Sequence, residues 1–204
     1  MVIAIPPKRQ QNDYFNQLQQ LLKLAEKLKI TNILFISSTS VYGDQSGILT
    51  EGSGTQAKAP AAGAMAQFEQ LLLSPSGHNN SVLRLAGLID SQRHPGRFFA
   101  GKTAVANPAA VVNMIHQTDC IGLITSIIMQ NAWGEVLLGC APSHPTRHEF
   151  YRQGASALGL EPPQFVESGG ENSKLIDASH SAERLSYDYQ QPNLLKWLNS
   201  PRPQ

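Results

Sequence analysis

A short apolar run that leads into a serine-rich turn constrains the fold of this chain more than any other feature. Residues 33–36 read Ile-Leu-Phe-Ile, and residues 37–43 read Ser-Ser-Thr-Ser-Val-Tyr-Gly. A second apolar run, Val2–Ile5, stops at Pro6-Pro7, and leucines at helical spacing lie between the two runs. Unbroken apolar runs of this length are typical of strands buried on both faces. Strand, helix and strand in this order predict a right-handed βαβ unit and therefore a parallel sheet.

The remainder of the chain continues to alternate between helix and strand patterns, which makes the fold class α/β. A Thr-x-x-Glu capping box at Thr146 and Glu149 marks the start of one of the later helices. The expected elements are a helix from about 13 to 29, a polar loop over 44–59, a helix over about 61–73, a third strand over 81–89, a helix over 119–129, a fourth main strand over 134–138, and short elements near 111–115, 162–166, 179–185 and 194–198.

The composition argues against several classes of function. Sixteen Lys and Arg residues balance fifteen Asp and Glu residues, and the basic residues are scattered, so neither nucleic acid nor a membrane surface is an expected partner. The start of the sequence lacks the positively charged amino-terminal region of a signal peptide, and no apolar run reaches the length of a membrane span. Cys120 and Cys140 are the only cysteines, which suits a reducing compartment. We therefore expect a cytoplasmic protein.

Several local strings follow one another in a recognisable order. They are AIPP (4–7), FISSTSVYGD (35–44), RLAGLID (84–90), NMIHQTD (113–119), GEVLLG (134–139), HEFYRQGASALGL (148–160) and SKLIDASHSAERLSYDY (173–189). This order resembles the extended short-chain dehydrogenase/reductase family, the NAD-dependent epimerases and dehydratases. The turn Arg93–Gly96 is similar to that of the YeeZ-like branch of the family. In the last string, Ser186 stands where the family usually has glycine.

The resemblance implies a Rossmann-type fold that this sequence enters at the family's fourth strand. The expected architecture is a truncated Rossmann-type parallel sheet with helices on its faces plus a small C-terminal α/β lobe. Residues 1–92 would form the partial Rossmann core, and residues 93–204 the remaining core elements and the substrate-type lobe. Val2–Ile5 would then be an edge strand with an uncovered apolar face, which invites pairing with another segment or chain.

Two motifs of active family members are missing from the sequence. The family binds NAD or NADP on a strand–GxxGxxG–helix unit, and Gly52-Ser53-Gly54, the nearest glycine cluster, follows the wrong strand. The family's acid/base pair is Tyr-x-x-x-Lys, and aligning the string Phe68–Leu72 places that pair at Ala61 and Met65. We therefore predict no cofactor-binding residues and no cofactor for this chain.

Four residues remain as candidates for substrate contact by resemblance. Ser38 matches the family's catalytic serine, and Tyr42 matches a tyrosine that shapes the substrate mouth. Ser38 either binds a substrate oxygen or satisfies backbone groups at the strand end, and without a base the second interpretation is favoured. Arg84 either binds an anion or pairs with an acidic residue. Asn113, the first residue of the string NMIHQTD, is the fourth candidate.

The histidines do not indicate a metal site. Pro145 moves His144 out of the following helix, so that His144 and His148 do not share a helical face, and Glu149 is explained by capping. His116 and Asp119 invite a catalytic interpretation. In the family, however, this Asp caps a helix and the His packs beside it, which favours a structural role here.

These observations lead to one preferred function and two alternatives. The preferred function is an epimerase/dehydratase-like protein without redox activity that binds a sugar-like metabolite or a protein partner. The first alternative is an oxidoreductase or epimerase acting on a nucleotide-linked or small hydroxylated substrate, if a nucleotide-binding half exists upstream. The second is a dimerising structural or regulatory module. The resemblance implies a homodimer through the helices at about 13–29 and 61–73.

Overall fold

The computed structural model describes residues 1–7, 13–74, 79–171 and 173–200. The strands are β1 (Val2–Ile3), β2 (Asn32–Ser38), β3 (Gly47–Leu49), β4 (Asn79–Leu85), β5 (Gly87–Ile89), β6 (Met114–His116), β7 (Val136–Gly139) and β8 (Lys174–Ile176). The helices are α1 (Tyr14–Lys27), α2 (Pro60–Leu73), α3 (Gln117–Met129), α4 (Arg147–Ser156), α5 (Ser179–Arg184) and α6 (Leu194–Leu198).

Four parallel strands form the main sheet in the order β1-β2-β4-β7. Successive side chains of β2 enter different cores. Ile33 and Phe35 pack with α1 and α2, whereas Leu34 packs with α3 on the opposite face. All three side chains are fully buried. The alternation explains the unbroken apolar run, because a central strand covered on both faces needs apolar residues at every position. The predicted parallel sheet with helices on its faces is confirmed.

The strand predicted over 81–89 is two strands. The main-sheet strand β4 ends at Leu85, and β5 turns away after Ala86 to pair with β6. A Cβ atom at Gly87 would lie 2.5 Å from the Met114 sulfur, so a larger residue there would displace the Met114 side chain. This short second sheet carries the chain from the main sheet into the C-terminal part.

The segment 44–59, predicted to be a loop, contains the short strand β3. It pairs in parallel with β8, so that Ile48 lies opposite Leu175 more than a hundred residues later in the chain. Gly43 begins this segment at φ +62°, and a side chain there would overlap the Gln56 carbonyl. The loop prediction was wrong for 47–49 because three residues with a distant partner leave no periodic pattern.

The capping box at the start of α4 is confirmed. The Thr146 hydroxyl accepts a hydrogen bond from the Glu149 amide at 3.2 Å, and the Glu149 carboxylate accepts one from the Thr146 amide at 3.0 Å. The start of α3 differs from the prediction. This helix begins at Gln117, two residues before the predicted start at 119, and its N-cap is His116, whose ring nitrogen accepts a hydrogen bond from the Thr118 amide.

Asp119 connects α3 to the C-terminal segment. Its fully buried carboxylate accepts hydrogen bonds from the Tyr187 hydroxyl and from the backbone amides of Gln190 and Gln191. Ser186 has φ +43°, in the left-handed region, which explains why glycine is usual at this position.

Within the described ranges, none of the helices is long and apolar enough to cross a membrane. The predicted boundary between residues 92 and 93 stays a prediction.

Candidate functional site

A pocket of about 450 Å³ opens where the first two strands of the sheet end. We call it the strand-end pocket. Its walls come from the ends of β1 and β2, the start of α1, the first turns of α2 and the loop after β5. The residues that line it are Ala4, Ile5, Pro6, Pro7, Tyr14, Ile36, Ser37, Ser38, Ser40, Ala59, Ala61, Ala62, Met65 and Arg93. This is the carboxyl edge of a parallel sheet, where α/β folds bind their ligands.

Two serine hydroxyls lie at the base of the pocket. Ser38 ends β2 and caps a short 3₁₀ turn, since its oxygen accepts a hydrogen bond from the Ser40 amide at 3.1 Å. Ser37 is only 4% exposed, and its hydroxyl oxygen has no hydrogen-bond partner among the described residues. A buried hydroxyl without a partner costs free energy, and Ser37 is among the residues that line the pocket.

The wall formed by α2 carries the two positions that matter most for chemistry. Ala61 and Met65, one helical turn apart, both line the pocket with Ser38. They occupy the positions at which the family resemblance places Tyr and Lys. A methyl group and a thioether cannot accept or donate a proton, so these two positions contribute apolar surface to the pocket wall.

Tyr14 is the one tyrosine among the described residues of the pocket wall, and a hydrogen bond to the backbone holds it in place. Its hydroxyl donates a hydrogen bond to the Ile5 carbonyl at 2.8 Å. Burial raises the pKa of Tyr14 above its ordinary value. A tyrosine that already donates its proton to a backbone oxygen, and whose anion is disfavoured, does not replace the missing base.

The amino terminus of α2 also faces the pocket, and no side chain caps it. Ala59 is the N-cap and has no polar group, and Pro60 follows it at the first helical position. The backbone amides of Ala61 and Ala62 donate to no acceptor in the described parts of the chain. Such amides carry the positive end of the helix dipole.

Tyr42, Arg84 and Glu69 form a buried cluster that does not line the strand-end pocket. The Arg84 guanidinium donates to the Glu69 carboxylate at 2.8 and 3.1 Å and to the Tyr42 hydroxyl at 3.0 Å. The Tyr42 hydroxyl in turn donates to the Thr50 carbonyl. Of the two interpretations of Arg84, pairing with an acidic residue is the one seen. The predicted substrate contacts of Tyr42 and Arg84 stay predictions.

The charge state of this cluster follows from its contacts. Burial by itself would lower the pKa of Arg84, but the hydrogen bonds and charge of Glu69, followed by the Tyr42 hydroxyl, raise it above the ordinary value. Burial raises the pKa of Tyr42, and Arg84 only partly opposes this. The arginine therefore stays charged and the tyrosine stays neutral.

Asn113 holds the C-terminal part against the second sheet. Its side-chain amide donates to the Lys174 carbonyl at 3.0 Å, and its oxygen accepts from the Ile176 amide at 2.8 Å. Both contacts fix β8. Of the four candidate residues, the structure brings only Ser38 to the strand-end pocket, and the predicted binding role of Asn113 stays a prediction.

Sequence reasoning missed three parts of this pocket. Ser37 gave no signal distinct from its hydroxyl neighbours, and Arg93 was noticed only as part of a turn. The uncapped start of α2 could have been found, because Ala59-Pro60 offers no side-chain acceptor at a helix start. Among the described residues, no group of three or more His, Cys, Asp or Glu side chains could hold a metal ion.

Comparison with known proteins decides the family. The sequence is 40% identical over 201 residues to the protein YeeZ of Escherichia coli K12, and the match covers 96% of this chain and 72% of YeeZ. The chain belongs to the extended short-chain dehydrogenase/reductase family. Within this family it is a member of the YeeZ-like branch. YeeZ of Escherichia coli O157:H7 matches equally well. No protein-family profile matches the sequence.

Solved structures confirm the fold of this family member. A dTDP-glucose 4,6-dehydratase from Bacillus anthracis, in complex with NAD, has a TM-score of 0.79 at 18% identity, covering 96% of this chain and 69% of the dehydratase. A UDP-N-acetylglucosamine 4-epimerase from Bacillus cereus has a TM-score of 0.74 at 17% identity, and the match covers 97% of this chain and 77% of the epimerase. A functionally unknown protein from Silicibacter pomeroyi has a TM-score of 0.78 at 19% identity, and the match covers 97% of this chain and 74% of that protein.

Proposed function

We propose that this protein binds a small metabolite in the strand-end pocket and does not carry out the hydride chemistry of NAD-dependent epimerases and dehydratases. The observation that carries the proposal is the shared wall of Ser38, Ala61 and Met65. The pocket and one hydroxyl of the family's active site are present, and the proton-transfer pair is replaced by apolar groups. A concave, mainly apolar pocket with a few polar groups is typical of small-molecule sites.

The residues of this chain do not fit a dinucleotide. A pyrophosphate needs glycines that let the backbone approach it at a helix amino terminus. Gly52 lies in the turn after β3, and no helix begins there. We therefore derive no step of a reaction through NAD or NADP.

The test is a titration of the purified chain with NADH and NADPH, followed by nicotinamide fluorescence. We expect no saturable signal at millimolar nucleotide. In parallel, a pool of fractionated metabolites is added to protein labelled with ¹³C at its methionine methyl groups. We expect the Met65 signal to move, while Met129, which is exposed on α3, stays in place and serves as the internal control. Saturable micromolar binding of NADH would overturn the proposal.

We also propose a homodimer that uses α1 and α2. Leu24 of α1 is 47% exposed, and Leu28, the residue that caps the end of α1, is 61% exposed. Leu71 of α2 is 37% exposed, so that apolar side chains remain on the outer faces of both helices. Sedimentation of the wild type should give a dimer and Leu28→Glu a monomer. Met129→Glu is the matched control, because it places the same charge at an exposed apolar residue of α3. A monomeric wild type would contradict the proposal.

We propose a cytoplasmic location, and the state of the two thiols supports it. Cys120 and Cys140 are both unpaired and buried. Two thiols that form no disulfide support a reducing compartment, which for this protein we take to be the cytoplasm.

A further inference from the structure

We infer that the ligand of the strand-end pocket carries an oxyanion, a carboxylate or a phosphate, on an apolar body. This inference rests on the proposed binding function and adds the chemical class of the ligand. It depends on three donors that meet in one pocket: the amino terminus of α2, the serine hydroxyls at the end of β2, and the guanidinium of Arg93.

The first donor is the start of α2, a helix of 14 residues. The amides of Ala61 and Ala62 lack protein acceptors within the described ranges, and Ala59 offers no capping oxygen. Free amides at the positive end of a helix dipole favour an anionic oxygen. Most helices satisfy these groups with Ser, Thr, Asp or Asn at the N-cap, so their absence beside a pocket leaves the position open for a ligand atom.

The second donor is independent of the helix. Ser37 is 4% exposed, and its hydroxyl has no partner in the described structure. The Ser38 oxygen accepts the Ser40 amide, which leaves its hydroxyl hydrogen available to donate. Ser38 and the first residues of α2 line the same pocket, so that one ligand can contact groups from both elements.

The third donor sets the charge of the pocket. Among the residues that the structure describes, Arg93 is the one charged residue in the lining, and none of the described Asp or Glu residues is part of the wall. Asp90, its nearest acidic neighbour in sequence, accepts from the backbone amide of Arg93, and no carboxylate forms an ion pair with the guanidinium among the described residues. A guanidinium without a carboxylate partner, in the same pocket as free amides, favours an anion over a neutral oxygen.

The remaining walls define the body of the ligand. Ile5, Pro6, Tyr14, Ala62 and Met65 present apolar surface, with the Tyr14 hydroxyl already used by the backbone. The hydroxyl groups of a sugar would find no hydrogen-bond partners on these walls, and each unpaired hydroxyl would reduce the free energy of binding. A short aliphatic or aromatic body fits the walls and the volume of about 450 Å³.

The experiment uses four probes of the same length: hexanoate, hexyl phosphate, hexanamide and hexanol. Each is titrated into the full chain with ¹³C-methyl methionine, and the Met65 signal is followed. We expect hexanoate or hexyl phosphate to bind at least about tenfold more tightly than hexanol, and the ratio of the two anions tells carboxylate from phosphate. Arg93→Gln should weaken the preferred anion by about tenfold and leave hexanol unchanged.

A second variant tests the helix terminus without removing any group. Ala59→Asp supplies a carboxylate that occupies the amides of Ala61 and Ala62, so it should raise the melting temperature and abolish anion binding. Ala59→Gly is the matched control, because it adds no acceptor and should bind the anion as the wild type does. Unchanged anion affinity in Ala59→Asp would overturn the inference.

The outcomes separate this inference from the function beneath it. If hexanol and hexanoate bind equally and Arg93→Gln has no effect, the oxyanion inference fails while the metabolite pocket stands. If no probe moves Met65 but a metabolite fraction does, the ligand class is again wrong and the pocket stands. If neither the probes nor any metabolite fraction moves Met65, both proposals fail.

Discussion

The buried ion pair between Arg84 and Glu69 offers the sharpest test of what holds this fold together. The pair joins β4 to α2, and the two side chains are only 8% and 2% exposed. The guanidinium makes contacts of 2.8 and 3.1 Å to one carboxylate oxygen and of 3.3 Å to the other. Glu69→Gln keeps the shape of the side chain and removes its charge.

The expected cost of Glu69→Gln is about 3–5 kcal/mol in the free energy of unfolding. The variant leaves the Arg84 charge inside the protein with neutral acceptors: the amide oxygen of the new glutamine, the Tyr42 hydroxyl at 3.0 Å and a weak contact to the Glu51 carbonyl at 3.5 Å. None of these acceptors is an anion, and neutral hydrogen bonds do not compensate a desolvated charge. A domain of this size has a total stability of about 5–15 kcal/mol, so the loss is a large fraction of it.

The assay is urea unfolding followed by tryptophan fluorescence. The double variant Arg84→Met/Glu69→Leu removes both charges and should lie within about 1 kcal/mol of the wild type. Glu135→Gln is the control, since it breaks the more exposed pair with Arg184, and solvent screening should limit its effect to less than about 1 kcal/mol. A loss below about 1 kcal/mol for Glu69→Gln, or a double variant as unstable as the single one, would refute the reasoning.

Three further predictions concern the C-terminal part and the thiols. Asp119→Ala should cost about 3 kcal/mol in urea unfolding, because three donors lose their acceptor, whereas Tyr187→Phe, which removes one of those donors, should cost about 1 kcal/mol. Ser186→Gly should raise the stability by up to about 1 kcal/mol, since it relieves the positive φ, and a drop in melting temperature would contradict this. Burial raises the pKa of Cys120 and of Cys140 from 9.0 to about 12, so iodoacetamide should modify neither thiol in the folded chain at neutral pH. Because the folded pKa values are the higher ones, their contribution to stability is present below pH 9 and is lost as the pH rises from about 9 to about 12, which urea unfolding over that range would measure.

Most of the main sheet could be predicted from the sequence because its signals are local. Leu34 and Phe35 enter opposite cores, and both demand apolar residues, so the run itself reveals a central strand. The capping box at Thr146 is likewise complete within four residues. The pairing of β3 with β8 left no such trace, because each strand has three residues and its partner is distant.

The site was harder to predict than the fold. Placing Ala61 and Met65 beside Ser38 required only the register of one helix, and all three do line one pocket. Arg84 could bind a ligand or pair with an acidic residue, and the outcome depends on which residue of α2 faces β4. The pattern of apolar residues in the sequence does not predict that contact. Ser37 shows the same limit, since its lack of a partner exists only in three dimensions.

The architecture of the pocket does not depend on the residues that would perform the family's chemistry. Arg84 and Glu69 tie α2 to the sheet, and Asn113 fixes β8. None of these groups would transfer a proton, whereas Ala61 and Met65 contribute only surface. Replacing a surface Tyr and Lys by Ala and Met removes polar groups from a pocket wall without breaking any of these buried contacts. A pocket wall built in this way would tolerate a change at positions 61 and 65, because neither side chain takes part in the buried contacts that hold α2 and β8 in place.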